Sequence, residues 1–218
     1  SSGAGDKMIR ILFVFHDADY YSGATRSLCD IIDNLVKISE IDIWCLLPKT
    51  GSAKEHLDKT GATVLVKEYY QIKYFMDEGI FRHIVRFPFR SIEFAKSVIV
   101  GKKLVPLLRK SCIDIIYSNT SVLINGMLFR KYLPNARHIW HIREFCEEDH
   151  RIGIFIGRKL YYYRLNRYTD HVIYISEALK KKYKNYIYGP ESDVIYNDIS
   201  PEYFIPITRS YSAGEEMN

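Results

Sequence analysis

Apolar residues in this chain fall in short runs that stop abruptly at polar ones. Residues 9–15 are apolar except for Arg10, and a nearly continuous run of this kind fits a strand buried on both faces, as in a parallel sheet. The run empties into a polar loop and the segment Ser22-Gly23-Ala24-Thr25-Arg26, after which Leu28, Ile31, Ile32, Leu35 and Val36 recur at helical spacing. That spacing predicts a helix with one apolar stripe against the sheet. The pattern repeats, giving strands over 10–15, 41–47, 63–66, 113–117, 137–142, 171–175 and 194–196. Helical periodicity fills most gaps, over 24–38, 53–59, 92–110, 122–132, 153–168 and 177–183. Residues 67–89, aromatic and basic without a clean period, read as irregular structure with a short helix. Alternating strands and helices predict an α/β fold, a Rossmann-like doubly wound parallel sheet.

The polar residues that end the strands are the candidate chemistry. Ser118-Asn119-Thr120-Ser121 follows one strand, His141 closes the next ahead of Arg143-Glu144, and Ser176-Glu177 and Asn197-Asp198 follow the last two. In an open parallel sheet ligands bind outside the carboxyl ends of the strands, so these clusters and Ser22 to Thr25 line one rim. A helix N-terminus gathers unpaired N–H groups and partial positive charge, and Gly23, with no side chain, lets a phosphate approach them. Each cluster also has a purely structural reading. Ser22, Thr120 or Ser121, and Ser176 suit helix caps, Gly23 a packing glycine, His141 a core histidine, and Arg143 with Glu144 a surface ion pair.

At 218 residues, 47% of them hydrophobic, the chain is long enough for one domain with a sizeable core. Residues 1–7, small and polar ahead of Met8, read as an expression remnant, 8–207 as the domain, and the polar 208–218 as a frayed tail or the start of a linker. The first apolar stretch breaks at His16-Asp17, far short of the roughly 20 residues that a spanning helix needs. Cys29, Cys45, Cys112 and Cys146 are scattered without metal-ligand spacing and read as reduced thiols, so a cytoplasmic protein without a metal site is expected.

Five stretches, taken in order, resemble the N-terminal domain of a family 4 glycosyltransferase of GT-B fold. They are Ile11-Leu12-Phe13-Val14 followed by Ser22-Gly23-Ala24-Thr25-Arg26-Ser27-Leu28, then Asp114-Ile115-Ile116-Tyr117-Ser118-Asn119-Thr120-Ser121, and Trp140-His141-Ile142-Arg143-Glu144-Phe145. Ile175-Ser176-Glu177-Ala178-Leu179-Lys180 and Val194-Ile195-Tyr196-Asn197-Asp198 running on to Phe204 complete the set. The resemblance implies a retaining enzyme that moves a sugar from a nucleotide-sugar donor, without cofactor or metal, to a glycan or lipid-linked acceptor in polysaccharide synthesis. It implies that Ser22, Gly23, Ala24 and Thr25 approach the donor's diphosphate and sugar and that His141 orients the transferred sugar. Arg26, Asn119, Thr120, Arg143, Glu144, Ser176 and Asn197 then line the cleft or meet the acceptor.

Two positions depart from that family. Its double glycine with a following glutamate is replaced by Ser22-Gly23-Ala24-Thr25, and its Asn-Gly step before the interdomain crossing by Asn197-Asp198. The resemblance also implies a second Rossmann-like domain carrying a basic diphosphate clamp and a carboxylate pair, which these residues do not include. The chain is therefore expected to be the acceptor-side half of an enzyme, inactive alone.

Charge adds a further expectation. The net +5 comes from 31 basic and 26 acidic residues, but Arg82, Arg86, Arg90, Lys96, Lys102, Lys103, Arg109 and Lys110 are interleaved with Phe81, Phe87, Phe89, Ile92, Phe94 and Val98. Residues 151–167 combine Arg with Phe155, Ile156, Leu160, Tyr161, Tyr162 and Tyr163. Such segments suit an anionic membrane surface, here the inner face of the cell membrane, and equally suit core-packing helices with solvated flanks. Three rival functions are weaker. An NAD-dependent sugar oxidoreductase needs a G-x-G-x-x-G turn, whereas only Gly23 stands between Phe15 and the helix. Nucleic-acid binding lacks its familiar signatures. A non-catalytic membrane-associated binding module is separated from a transferase half by what the reading frame encodes beyond Asn218.

Overall fold

In the computed structural model, which describes residues 8–75, 80–143 and 152–196, the apolar runs become strands of one parallel sheet. The elements are β1 (Ile9–Val14), α1 (Gly23–Leu35), β2 (Ile41–Leu47), α2 (Ser52–Leu57), β3 (Thr63–Val66), β4 (Lys73–Phe75), α3 (Ile80–Lys110) and β5 (Ile115–Ser118). They continue with α4 (Asn125–Tyr132), β6 (Arg137–Ile142), β7 (Ile152–Ile154), α5 (Arg158–Tyr168), β8 (His171–Tyr174), α6 (Glu177–Tyr183) and β9 (Glu191–Val194). Seven strands lie in the order β3-β2-β1-β5-β6-β8-β9 with every neighbour parallel. The chain winds one way from β1 to β3, crosses back through α3 to β5 and winds the other way, so the expected α/β, Rossmann-like doubly wound sheet is what forms.

Period-two alternation assigns each strand residue to a face. Ile11, Phe13 and Phe15 pack with Leu28, Ile32 and Leu57 under α1 and α2. Leu12 and Val14 face the other way, onto Leu104 and Leu108 of α3 and Phe129 of α4. Further along that second face, Trp140 and Val172 pack with Met127, Leu165 and Leu179. Cys29 and Cys45 are core residues, Cys112 is exposed, and Cys146 lies outside the described residues.

Several boundaries differ from expectation. Residues 67–89 are not irregular throughout: Lys73–Phe75 pairs antiparallel with Ile152–Ile154 in a separate two-stranded ribbon, which also shortens the expected 153–168 helix to Arg158–Tyr168. Helix α3 starts at Ile80, not at residue 92, and runs through both Pro88 and Pro106. The last strand is Glu191–Val194 and not 194–196, because His171 to Tyr174 takes Glu191 to Val194 as partners and the His171 ring meets Asp193 at 2.9 Å. The helix expected over 122–132 starts at Asn125. Here Gly126 is demanded by contact, since a Cβ would sit 2.1 Å from the Ser118 hydroxyl and 2.4 Å from His138 Nε2.

Candidate functional site

The order of the sheet reverses between β1 and β5, and at such a point the loops leaving two adjacent strands diverge and open a crevice at their carboxyl ends. On the β1 side the crevice is bounded by the start of α1. Its first ladder bond is Arg26 N–H to Ser22 O, 2.8 Å, so the amides of Gly23, Ala24 and Thr25 precede the ladder. Ser22 occupies the N-cap position, yet its side chain makes no capping bond, and the first turn of α1 carries no acidic residue. A Cβ on Gly23 would meet nothing within 4 Å. Packing therefore does not explain the glycine, and the space it leaves opens outward. Thr25 is fully buried, and its hydroxyl has no hydrogen-bond partner among the described residues. The Arg26 guanidinium lies over the Tyr20 ring, 5.9 Å from its centre.

On the β5 side stands Asn119, fully buried, whose Nδ2 donates to Ala24 O at 2.7 Å and so ties the two loops across the switch point. Its Oδ1 accepts from Arg143 Nε at 2.8 Å, while Arg143 also donates to the Ser27 hydroxyl at 2.9 Å. Tyr117, Asn119, His141 and Arg143 alternate onto the α1 face of the sheet, with Tyr117 paired to Ile139 in register. That register brings Tyr117 Oη to 2.6 Å from His141 Nδ1, and an Arg143 NH group lies 3.3 Å from the same nitrogen.

The tautomer follows from these partners. A guanidinium can only donate, so Nδ1 is the acceptor, Tyr117 donates to it, and the ring proton sits on Nε2. Burial and then the Arg143 charge push the His141 pKa down to about 3, so the ring is neutral at physiological pH. Its Nε2–H is buried and has no partner among the described residues. Burial likewise lifts the Tyr117 phenol to about 12, keeping it a donor.

Two more polar groups at the rim are unpaired among the described residues, Thr120 Oγ1 and Gln71 Oε1, as is His16 Nδ1 just past the end of β1. Gln71 donates through Nε2 to His16 O at 2.9 Å. Burial, reinforced by Lys73 and Arg143 against the pull of Asp17, lowers the His16 pKa to about 4. For Asp17, burial alone would raise the carboxyl pKa, but Lys49 at 3.0 Å and the Ala18 amide hold it below the usual range. His16, Gln71, Lys73, Arg86 and Arg90 share a cleft of about 530 Å³ that opens on this rim. Two clefts of about 610 and 600 Å³ lie elsewhere, beside α6 and at the amino ends of β1 and β5, away from the switch point. Among the described residues no three His, Cys, Asp or Glu side chains converge as a metal site.

Of the residues that the sequence singled out, Ala24, Asn119, Arg143 and His141 are joined by hydrogen bonds at the switch point, Ser22, Gly23, Thr25 and Arg26 lie at the start of α1 beside them, and Thr120 follows Asn119 with its carbonyl accepting from Trp140 Nε1. Ser176 is engaged differently: its hydroxyl caps α6 by accepting from Leu179 N at 3.2 Å. Glu144 and Asn197 lie outside the described residues. Sequence reasoning missed Tyr117, Ser27, His16 and Gln71 as partners in the site. Only Tyr117 carried a signal, two residues before Asn119 and hence on the same face.

No known family model matches the chain, and no curated protein resembles it significantly in sequence. Solved structures do resemble it. HepE of Anabaena, in complex with UDP and glucose, superposes with a TM-score of 0.61 at 19% identity over 88% of this chain and 45% of HepE. A glycosyltransferase of Rickettsia africae gives 0.60 at 16% identity over 92% and 46%, and MurG of Acinetobacter baumannii 0.52 at 12% over 88% and 46%. The chain has the fold of one half of a GT-B glycosyltransferase. It spans less than half the length of these three proteins.

Proposed function

We propose that the chain is the N-terminal, acceptor-side half of a retaining glycosyltransferase that moves a sugar from a nucleotide-sugar donor to a glycan or lipid-linked acceptor in polysaccharide synthesis. One observation carries the reading: across the switch point of a GT-B-like sheet, an uncapped helix N-terminus with an open glycine is tied by hydrogen bonds to the buried set of Asn119, Arg143 and His141. HepE, of the same fold, binds UDP and glucose, which supports a uridine-type sugar nucleotide as donor class.

Transfer from such a donor develops positive charge on the anomeric carbon and negative charge on the departing diphosphate, so stabilising the leaving group is the largest need. The amides of Gly23 to Thr25, which precede the α1 ladder, and the α1 dipole suit that anion from this side. His141, neutral and with its proton on Nε2, suits donation to a sugar hydroxyl; it is a weak base and in this reading orients the sugar. The acceptor proton goes to the leaving phosphate during front-face attack, and the remaining diphosphate contacts belong to a second domain.

The test uses the full-length protein, assayed for nucleotide release from UDP-sugars in the presence of acceptor lipids and glycans. His141→Ala is expected to lower turnover about a hundredfold, equivalent to roughly 3 kcal/mol of transition-state stabilisation, with little change in melting temperature. The 218-residue chain alone is expected to give no turnover. A His141→Ala enzyme that is destabilised but fully active removes His141 from the site, and a full-length protein inert to all sugar nucleotides removes the reading.

A further inference from the structure

We infer that the outward face of α3 is a docking surface for an anionic phospholipid bilayer. An α-helix turns about 100° per residue, and one side of α3 faces the body, packed closely from Phe94 onward. Phe94 places its ring 6.2 Å from that of Phe155, Ser97 Oγ accepts from Tyr70 N at 2.7 Å, and Leu104 and Leu108 are buried, whereas Phe87, its ring 5.5 Å from that of Phe155, stays 61% exposed. The opposite side of the first three turns presents Phe81, Ile84, Val85, Phe89 and Ile92, with Phe81 77% and Phe89 65% exposed. Phe81, Val85 and Phe89 form one stripe at four-residue spacing, and Ile84 and Ile92 lie beside it. A helix that packs on a core in water has the reverse polarity.

Charge says what covers this face. From Ile80 to Lys110 there are eight Lys and Arg but a single acid, Glu93. Arg82 flanks the aromatic stripe, and farther along the outward side the exposed Lys102, Lys103 and Lys110 take over from the aromatics. Apolar groups suit the acyl boundary and cations suit the lipid phosphates, whereas a neutral protein partner would leave the lysines unmatched. Among the described residues no helix is long and apolar enough to cross a membrane, so α3 would lie on the surface. The second segment singled out by its composition behaves otherwise. In α5, Tyr161 and Leu165 are buried and Tyr162 stacks on Tyr186, so much of its aromatic surface is used in packing. Arg86 and Arg90 of α3 line the cleft beside His16, so a chain docked through α3 would hold that cleft near the headgroups.

The test is co-sedimentation of the 218-residue chain with vesicles of equal phosphatidylglycerol and phosphatidylcholine, against vesicles of phosphatidylcholine alone. Binding is expected to be at least tenfold tighter to the anionic vesicles and to weaken as salt is raised. Phe81→Ser with Phe89→Ser, and separately Lys102→Glu with Lys103→Glu, should each weaken it tenfold or more while the thermal melt stays where it was. No binding, equal binding to both vesicle types, or unchanged binding by both variants overturns the proposal. So does a lipid-free dimer in sedimentation velocity that Phe81→Ser with Phe89→Ser abolishes, which would assign the face to a second copy of the chain.

Discussion

Asn119 holds the crevice together. Its carboxamide takes both of its roles at once, donating to Ala24 O at 2.7 Å and accepting from Arg143 Nε at 2.8 Å, from a position with no solvent access. Losing it leaves a buried carbonyl and one guanidinium N–H without this partner, a penalty of about 1–3 kcal/mol. Asn119→Ala is therefore expected to lower the unfolding free energy by that amount, seen as a lower urea midpoint at unchanged slope. Asn119→Asp should be worse than its near-identical shape suggests, since the carboxylate keeps the Arg143 contact but has no donor for Ala24 O. Equal stability of Asn119→Asp and the parent would show that the Ala24 bond contributes nothing. The same pair of bonds explains how His141 is aimed: Arg143, held by Asn119 and Ser27, stands beside Nδ1 and leaves Nε2 as the ring's donor.

Helix α3 illustrates an element whose form overrides its local signals. Pro88 lies in its interior and is exposed, where it supplies no N–H and crowds the preceding turn. Pro88→Ala is expected to stabilise the chain by roughly 1–3 kcal/mol and to raise its melting temperature by several degrees. An unchanged or lower melt would mean that the proline is favoured by the shape of the helix itself. That proline is also why the first three turns of α3 were not legible in the sequence. The main sheet was legible, because strands buried on both faces keep nearly continuous apolar runs, as in Leu12 to Phe15. The ribbon of β4 and β7 was not, since three-residue strands acquire their identity only from pairing Tyr74 with Gly153 across some eighty residues of chain. Strand β9 was misplaced for a related reason: at the sheet edge it alternates Glu191 and Asp193 with less polar neighbours and has no apolar run. For the site, strand-end polarity sufficed to pick out Asn119, His141 and Arg143. Their joining through Tyr117 and Ser27 depends on register and on the seating of α1, which local pattern does not encode.

Acid sensitivity belongs to the whole molecule, because its sources are spread through both faces of the sheet. His138 is fully buried between Tyr168 O, to which Nδ1–H donates at 2.9 Å, and the Ser118 hydroxyl, which donates to Nε2 at 2.9 Å. Burial pushes its pKa down to about 4, as it does for His16, and to about 3 for His141. In the unfolded chain these imidazoles titrate near 6.5. Between pH 6.5 and 4 the unfolded state therefore binds more protons than the native one, and stability must fall as pH falls through that window. Asp170, held below its usual range despite burial by Arg130 and the His138 amide, extends the loss to still lower pH. A group whose native pKa lies two units below its unfolded value contributes about 3 kcal/mol, so three histidines together rival the roughly 5–15 kcal/mol that holds a domain folded. The chain is expected to lose stability steadily from pH 7 and to unfold between about pH 5 and 4, with the urea midpoint as the measure. A midpoint that stays flat from pH 7 to 5 would mean that the three rings accept protons in the folded state, and with that the neutral Nε2–H tautomer of His141 would fall as well.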